Sequence, residues 1–201
     1  MELIAPAGDL TKLKYALTYG ADAVYCGVPR FSLRGRVNSF THRDLALGVS
    51  FAHKKKKKVY FTYNIYPHNR ELDDAKKHLL STVSLAPDAL VISDPGLLSY
   101  VRSKFPRLPI HVSTQANTIN YGAVDFWKKQ GVKRVILARE VTLVEARQIK
   151  ERVKGIELEY FVHGAMCMAL SGRCLLSSWI NQRSANSGEC TQPCRWPWNI
   201  R

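Results

Sequence analysis

The 201 residues are 46% hydrophobic, which is enough to build a buried core and excludes a disordered tail. Lysine and arginine number 30 against 16 aspartates and glutamates, so the formal net charge is +14. This surplus favours a polyanionic partner such as RNA, although charge alone identifies no partner.

The amino terminus and the cysteines indicate the compartment. The chain begins Met1-Glu2-Leu3-Ile4-Ala5 with no basic segment before a long apolar run, and no apolar stretch is long enough to cross a bilayer. We therefore expect a cytoplasmic protein with no membrane partner. In that reducing compartment, cysteines close together in sequence are more often metal ligands than disulfides.

Short apolar runs alternate with longer amphipathic runs, which is the pattern of repeated βα units around a parallel sheet. The predicted strands are Glu2–Ala5, Ala23–Cys26, Val59–Tyr63, Ala89–Ile92, Ile110–Val112, Arg134–Leu137 and Glu157–Phe161. The predicted helices are Asp9–Tyr19, Thr41–His53, Glu71–Ser84, Asp94–Lys104, Tyr121–Gln130 and Thr142–Val153. Asp9 suits a helix cap, and Gly20 and Gly131 stand where helix-ending glycines belong.

Seven strands in one βα series predict a TIM-like (β/α) barrel, a fold of typically about 250 residues. An open doubly wound sheet is the alternative. After Phe161 the sequence turns to Gly, Cys, Ser and Arg with no clear further βα unit. We therefore expect a barrel over residues 1–162 that is incomplete at its carboxyl end, followed by a cysteine-rich segment over residues 163–201 packed on it.

Four of the five cysteines follow the pattern Cys167-x6-Cys174-x15-Cys190-x3-Cys194, while Cys26 stands alone. Four thiolates in one loop-rich segment can surround a soft metal or an iron-sulfur cluster. The spacing lacks the paired C-x2-C of a zinc ribbon, but thiolates alone would also allow zinc. Four unrelated thiols are the alternative.

The segment around the first two cysteines resembles a known family. The stretch from Glu159 to Ser177, with His163-Gly164, Cys167 and Ser171-Gly172-Arg173-Cys174, matches every fixed position of the signature of the collagenase-like peptidases, the thirty-second family of unknown catalytic type. Ala5-Pro6-Ala7-Gly8 and the stretch Tyr19 to Tyr25 are similar to that family too. The resemblance covers essentially the whole chain.

Within the family, four further stretches most resemble the branch that hydroxylates tRNA: Ser93-Asp94-Pro95-Gly96, Gln115-Ala116-Asn117, Ala138-Arg139-Glu140 and Cys190 to Trp196. The resemblance implies oxygen-independent formation of 5-hydroxyuridine at the wobble position, prephenate as a small carboxylate co-substrate that donates the oxygen, a 4Fe-4S cluster and cluster-assembly proteins as partners. Other branches hydroxylate a ribosomal RNA cytidine or the quinone ring, which are alternatives here.

The implied cluster ligands are Cys167, Cys174, Cys190 and Cys194. Full-length relatives continue past the Cys-Arg-Trp stretch, and in some branches a ligand lies in that continuation. Cys167 and Cys174 are therefore the firmer pair. Historical naming of the family makes a peptidase a further alternative, although the sequence has neither an H-E-x-x-H nor a G-x-S-x-G motif. A further alternative is a redox or scaffold partner that carries a cluster but catalyses no reaction itself.

Polar residues follow the predicted strands at their carboxyl ends, where barrel active sites gather. Arg34, Arg36 and Arg139 can clamp carboxylates or phosphates. His163, Glu140 and Asp94 are the catalytic candidates, although a lone histidine after a strand is as often structural. The remaining substrate-binding candidates are Asn64, His68, Gln115, Asn117 and Arg173.

Two further groups of residues have both an ordinary structural explanation and a possible role in binding RNA. The run Lys54 to Lys58 reads as the solvated end of a helix, or as a contact with phosphates of a distant part of a tRNA. Trp179, Trp196 and Trp198 lie among arginines, a mixture suited to stacking bases. Packing around a cluster explains these tryptophans equally well.

Overall fold

The computed structural model describes residues 1–33, 39–164 and 166–199. Seven parallel strands form one sheet in sequence order. The strands are β1 (Ile4–Ala7), β2 (Ala23–Gly27), β3 (Lys58–Tyr63), β4 (Ala89–Ile92), β5 (Ile110–Val112), β6 (Arg134–Ile136) and β7 (Glu157–Glu159). Sequential order excludes the doubly wound alternative, in which the order reverses at a switch point, and confirms the TIM-like class.

Helices connect successive strands and cover the outside of the sheet. They are α1 (Leu10–Thr18), α2 (His42–Lys54), α3 (Asn69–Val83), α4 (Pro95–Lys104), α5 (Tyr121–Lys129) and α6 (Leu143–Arg152), with a short α7 (Leu176–Asn181) after β7. Among the described residues no pairing joins β7 to β1, so the barrel is open between them. None of the helices in the described ranges is long and apolar enough to span a membrane.

Local capping determines where the helices begin. The Asp9 carboxylate accepts the Lys12 backbone N–H at 2.7 Å, which confirms the predicted cap. At the start of α6, Thr142 and Glu145 form a capping box. The positive φ of Gly20, +116°, shows why a glycine follows α1.

Most boundaries differ from the prediction by one or two residues. Helix α3 begins at Asn69 rather than Glu71, because the Glu71 side chain accepts the His68 N–H at 2.9 Å and so serves as the third residue of the helix. Strand β7 ends at Glu159 instead of Phe161, and β1 begins at Ile4. The short α7 was not predicted.

The strands divide their side chains between two cores. Leu90 and Ile92 of β4 point outward into the large core beneath the helices, while Ala89 and Val91 point into the barrel. This alternation is the two-residue period of a strand. The inner core is the smaller of the two and consists of Ala23, Tyr60, Ala89, Val91 and Ile136.

A buried ionic network fills the amino-terminal end of the barrel interior. The guanidinium of Arg134, in β6, lies 2.6 Å from carboxylate oxygens of both Glu2 and Glu157 and 3.3 Å from Glu159. The Tyr60 hydroxyl donates to Glu2 at 3.0 Å. Arg134 therefore joins the segment before β1 to β6 and β7 across the interior of the open barrel.

Candidate functional site

The cysteine-rich segment lies over the carboxyl end of the barrel, where the polar residues were predicted to gather. Glu140, after β6, accepts the Ser171 backbone N–H at 2.7 Å and lies 3.3 Å from the Ser171 hydroxyl. Tyr66, after β3, donates its backbone N–H to the Asn186 carbonyl at 3.1 Å. The segment is thus bonded to loops that follow two different strands.

Two glycines allow the segment to approach the barrel closely. A Cβ at Gly172 would lie 2.1 Å from the Gln115 carbonyl oxygen, and one at Gly188 would lie 2.6 Å from the Ser32 carbonyl oxygen. Both glycines also have positive φ, +72° and +90°. A side chain at either position would push the segment away from the barrel. The segment therefore requires glycine at both points.

Tyr66 is a site residue that the sequence analysis missed. Its hydroxyl donates to the same Gln115 carbonyl at 2.6 Å, directly beside Gly172. Burial raises the pKa of Tyr66; the nearby charge of Arg173 opposes that rise, and the charge of Asp94 adds to it. Two candidates from distant loops, Asp94 and Arg173, are therefore both close to Tyr66. No sequence motif marks this tyrosine.

Arg139 lines a small cleft beside Cys167. The cleft has a volume of about 170 Å³ and is lined by Arg139, Glu140 and the stretch from Met166 to Leu170. Arg139 places one guanidinium nitrogen 3.5 Å from the Ala169 carbonyl, while its buried Nε has no hydrogen-bond partner among the described residues. A guanidinium in its lining suits the cleft to an anionic acceptor.

Two other predicted residues hold the loops in place. The Asn64 Oδ1 accepts the Leu33 backbone N–H at 2.9 Å, which ties the loop after β2 to the end of β3. Asp94 caps α4 by accepting the Leu97 N–H at 2.7 Å. The structure shows a supporting contact for each, and their roles toward a substrate stay predictions.

The remaining candidates divide between this site and its edge. Gln115 and Asn117 are partly buried on the loop after β5, whereas His68 and His163 are exposed. His163 lies at the beginning of the cysteine-rich segment, and its role in proton transfer stays a prediction. Arg34 and Arg36 fall outside the described residues.

The four clustered thiols lie on a locally ordered segment. Ser177, on α7, has its hydroxyl 3.9 Å from the Cys190 sulfur, and Asn186 donates to the Cys174 carbonyl at 3.3 Å. A guanidinium nitrogen of Arg195 donates to the Met166 carbonyl, which links the residues beside Cys194 and Cys167. These bonds hold the neighbours of the cysteines close together.

The thiol chemistry suits an iron-sulfur cluster. Cys167, Cys190 and Cys194 are exposed and Cys174 is partly buried, so all four are accessible. Over the described ranges, however, no three His, Cys, Asp or Glu side chains are arranged to hold a metal ion. Cys26 is different, because burial raises the pKa of its thiol far above the usual range.

Fold and site together define a class of protein: an open parallel (β/α) barrel whose carboxyl end is covered by a cysteine-rich segment beside a cleft containing an arginine. Residues 8–201 match the model of peptidase family U32. The chain belongs to this family. The resemblance seen in the sequence is thereby confirmed.

Individual relatives add detail. The chain is 52% identical over 200 residues to "tRNA hydroxylation protein P" of Escherichia coli (strain K12), covering 100% of this chain and 44% of that protein. It is 35% identical over 201 residues to the "23S rRNA 5-hydroxycytidine C2501 synthase" of the same organism, covering 100% of this chain and 30% of that protein. The chain thus spans less than half the length of either relative.

A solved structure supports the fold alone. "The Structure of the U32 Peptidase Mk0906" matches with a TM-score of 0.70 at 16% identity, over 84% of this chain and 70% of that chain. At this identity the likeness concerns the arrangement of the backbone and carries no information on substrate.

Proposed function

We propose that this protein takes part in the hydroxylation of tRNA. The observation that carries the proposal is the 52% identity, along the whole of this chain, to a protein named tRNA hydroxylation protein P. The name of the rRNA 5-hydroxycytidine synthase supports hydroxylation of a pyrimidine in RNA as the broader chemistry. A net charge of +14 agrees with a polyanionic substrate.

The proposed product is 5-hydroxyuridine at the wobble position, formed without molecular oxygen and with prephenate as the oxygen donor. The step exchanges the hydrogen on C5 of uridine for the ring hydroxyl of prephenate, so the donor carbon that loses the hydroxyl gains the hydrogen and the two electrons removed from uridine. A wobble base lies in a single-stranded loop, so it can turn into a protein site without breaking a base pair. The cleft at Arg139, about 170 Å³, is smaller than the roughly 300–1,000 Å³ of pockets for drug-sized ligands. It suits a carboxylate group of the donor rather than a whole nucleoside.

In this proposal the Arg139 guanidinium, which lines the cleft, binds and orients the carboxylate of the co-substrate. Glu140 holds the loop between Cys167 and Cys174 through Ser171, and so determines the position of that loop over the cleft. The two adjacent residues therefore have different tasks. Arg139 contacts the ligand and Glu140 positions the cover of the site.

Cys167, Cys174, Cys190 and Cys194 are the proposed ligands of a 4Fe-4S cluster, which would supply redox chemistry when bound. Iron and acid-labile sulfide in protein purified without oxygen measure this directly. Equal iron and sulfide contents in the parent and in Cys167→Ala would remove Cys167 from the ligand set, and zinc without iron would replace the cluster by a zinc site.

The activity is tested by mass spectrometry of nucleosides in tRNA from cells that lack the protein and from cells that express a variant of it. We expect 5-hydroxyuridine to disappear in the deletion, to return with the parent protein, and to fall at least tenfold with Arg139→Met. Arg107→Met is the matched control, because Arg107 is an exposed arginine between α4 and β5, at the opposite end of the barrel. Unchanged 5-hydroxyuridine in the deletion strain would refute the proposal.

The oxygen donor and the peptidase alternative have separate tests. With ¹⁸O in the ring hydroxyl of prephenate, the label should enter 5-hydroxyuridine under anaerobic conditions; label from water instead would exclude prephenate as the donor. The family's description as a peptidase family favours proteolysis as a second candidate function. Cleavage of gelatin by purified protein, abolished by Arg139→Met, would establish that activity.

A further inference from the structure

Exposed basic and aromatic side chains form a surface on α1 and α2 that the proposed active site does not use. We call it the lysine–tyrosine surface, and it consists of Lys14, Tyr15, Tyr19, Lys54, Lys55 and Lys56. Helices α1 and α2 are neighbours in the fold, and both end at the amino-terminal end of the barrel. The surface therefore lies at and beside the barrel end opposite the cysteine-rich segment.

The lysine run divides into two parts with different surroundings. Lys57 bonds to Asp22 at 2.9 Å and Lys58 bonds to Glu2 at 2.9 Å. For Lys54, Lys55 and Lys56, no carboxylate lies within ion-pair distance in the part of the chain that the structure describes. Three adjacent positive charges thus stay without an acidic partner, and this concentration favours contact with a polyanion.

Lys14 belongs to the same positive cluster although it is distant in sequence. Its ammonium lies 5.8 Å from the centre of the Phe51 ring, and that of Lys55 lies 5.4 Å from the same centre. Cation–π contacts with one ring bring lysines of α1 and α2 together without neutralising their charge. The fold thereby adds a fourth positive charge to the run.

The aromatic half of the surface consists of two exposed tyrosines. Tyr15 and Tyr19 are 61% and 81% exposed, and their rings stack at 6.0 Å with an interplanar angle of 6°. Exposed aromatic rings beside lysines are the combination that proteins use to stack unpaired bases and hold phosphates.

We propose that the lysine–tyrosine surface is a second RNA contact, which holds a part of the tRNA distant from the modified nucleotide. The proposal rests on the proposed function. Helix α2 has 13 residues and spans about 20 Å along the barrel. An A-form RNA stem of about ten base pairs is longer than this helix. One RNA stem lying along α1 and α2 can therefore reach from the loops beneath the cysteine-rich segment to the lysines at the other end.

The test measures binding of labelled, unfractionated tRNA to the purified protein at several salt concentrations. The variant is the triple substitution Lys54→Ala, Lys55→Ala and Lys56→Ala. Each lost phosphate contact should make the slope of log K against log salt shallower by about 0.7–0.9, so the triple variant should change the slope by roughly two to three. Affinity at low salt should fall at least tenfold.

The matched control replaces three lysines at or just after the ends of other helices at the same end of the barrel, Lys104, Lys128 and Lys154, which are also exposed. Both triple variants lose the same total charge, so a general effect of net charge would weaken them equally. We expect the control to keep the parent slope. A second variant, Tyr15→Ala with Tyr19→Ala, should bind more weakly with an unchanged slope, because stacking releases no counterions.

The outcomes separate this inference from the proposed function. If the parent binds tRNA and both lysine variants bind like it, or both weaken equally, the inference is overturned and the proposed function stands. If the parent binds no tRNA, both fail. Binding of the parent to vesicles containing anionic lipid, lost in the Lys54–Lys56 variant while tRNA binding is kept, would assign the surface to a membrane and also overturn the inference.

Discussion

Replacement of Arg134 by methionine should destabilise the barrel strongly and in a pH-dependent way. The Arg134 side chain is 8% exposed and contacts the carboxylates of Glu2, Glu157 and Glu159, whose side chains are 20%, 42% and 16% exposed. Methionine fills much of the volume but removes the only cation at the centre of this described network. Three carboxylates would then face one another at the amino-terminal end of the barrel.

The expected loss is about 3 kcal/mol of unfolding free energy at pH 7, the lower end of the roughly 3–5 kcal/mol for removing one partner of a buried ion pair. The lower end applies because Glu157 is partly open to solvent and is screened by it. Lys133→Met is the matched control. Lys133 is 62% exposed and lies 3.4 Å from Glu157, so its loss should cost less than about 1 kcal/mol.

The pH dependence follows from the carboxylates. Burial by itself would raise the pKa of Glu2, but bonds from Lys58 and Arg134 lower it below the ordinary value of 4.5. Burial raises the pKa of Glu159 in spite of Arg134. Without Arg134 the pKa of each carboxylate rises in the folded state. A carboxylate whose pKa is higher in the folded than in the unfolded state destabilises the folded state as pH rises above the unfolded-state pKa. The difference in unfolding free energy between the parent and Arg134→Met should therefore be large at pH 7 and shrink toward pH 4.

Urea denaturation followed by circular dichroism at pH 7 and pH 4.5 gives both free energies for the parent, Arg134→Met and Lys133→Met. Adding Glu157→Gln to Arg134→Met should recover part of the loss at pH 7, since one of the three mutually repelling carboxylates is then gone. A loss below about 1 kcal/mol at pH 7, or a deficit that does not change between the two pH values, would refute the ionic account of the barrel interior.

Three further substitutions test the site and the core. Gly172→Ala should loosen the cysteine-rich segment, because its Cβ would lie 2.1 Å from the Gln115 carbonyl oxygen. Gly164→Ala is the control, since Gly164 also has a positive φ but has open space around a Cβ. Hydrogen exchange of residues 166–199 should rise only in Gly172→Ala, and equal rises in both variants would refute the docking contact. Tyr66→Phe should cost about 0.5–1.5 kcal/mol in urea denaturation through its lost hydrogen bond; no loss would show that this bond contributes nothing. Burial lowers the pKa of His111 to about 3. As pH falls below about 6.5, the unfolded state therefore binds a proton that the folded state does not, and the protein loses stability. His111→Asn should make the fall in unfolding free energy between pH 6.5 and pH 4 less steep, and an equally steep fall would contradict the lowered pKa of His111.

Sequence reasoning predicted the elements well because they depend on local spacing. The strands Ala89–Ile92 and Ile110–Val112 have the predicted bounds. Asp9 caps α1 as predicted, by accepting the Lys12 backbone N–H. The family signature likewise depends on residues close together in the chain. Neighbouring residues determine periodicity, caps and turns, so these features can be read without a tertiary structure.

Sequence reasoning placed Glu140 relative to β6 but gave none of its contacts. The barrel rule places Glu140 at the carboxyl end of β6, which is correct. That its carboxylate bonds to Ser171, 31 residues later, depends on how the segment turns back over the barrel. Tyr66 was missed for the same reason, because its partner Gln115 is 49 residues away.

What the sequence alone determined about this protein is the order of its βα units, the grouping of its cysteines and its family. Only the tertiary structure decided which side chains meet: Arg134 with Glu2 across the barrel, 132 residues apart, and Lys14 with Lys55 over one ring. The curvature of the sheet and the packing of its helices set these distances. Both depend on the whole chain at once, which is why local patterns do not contain them.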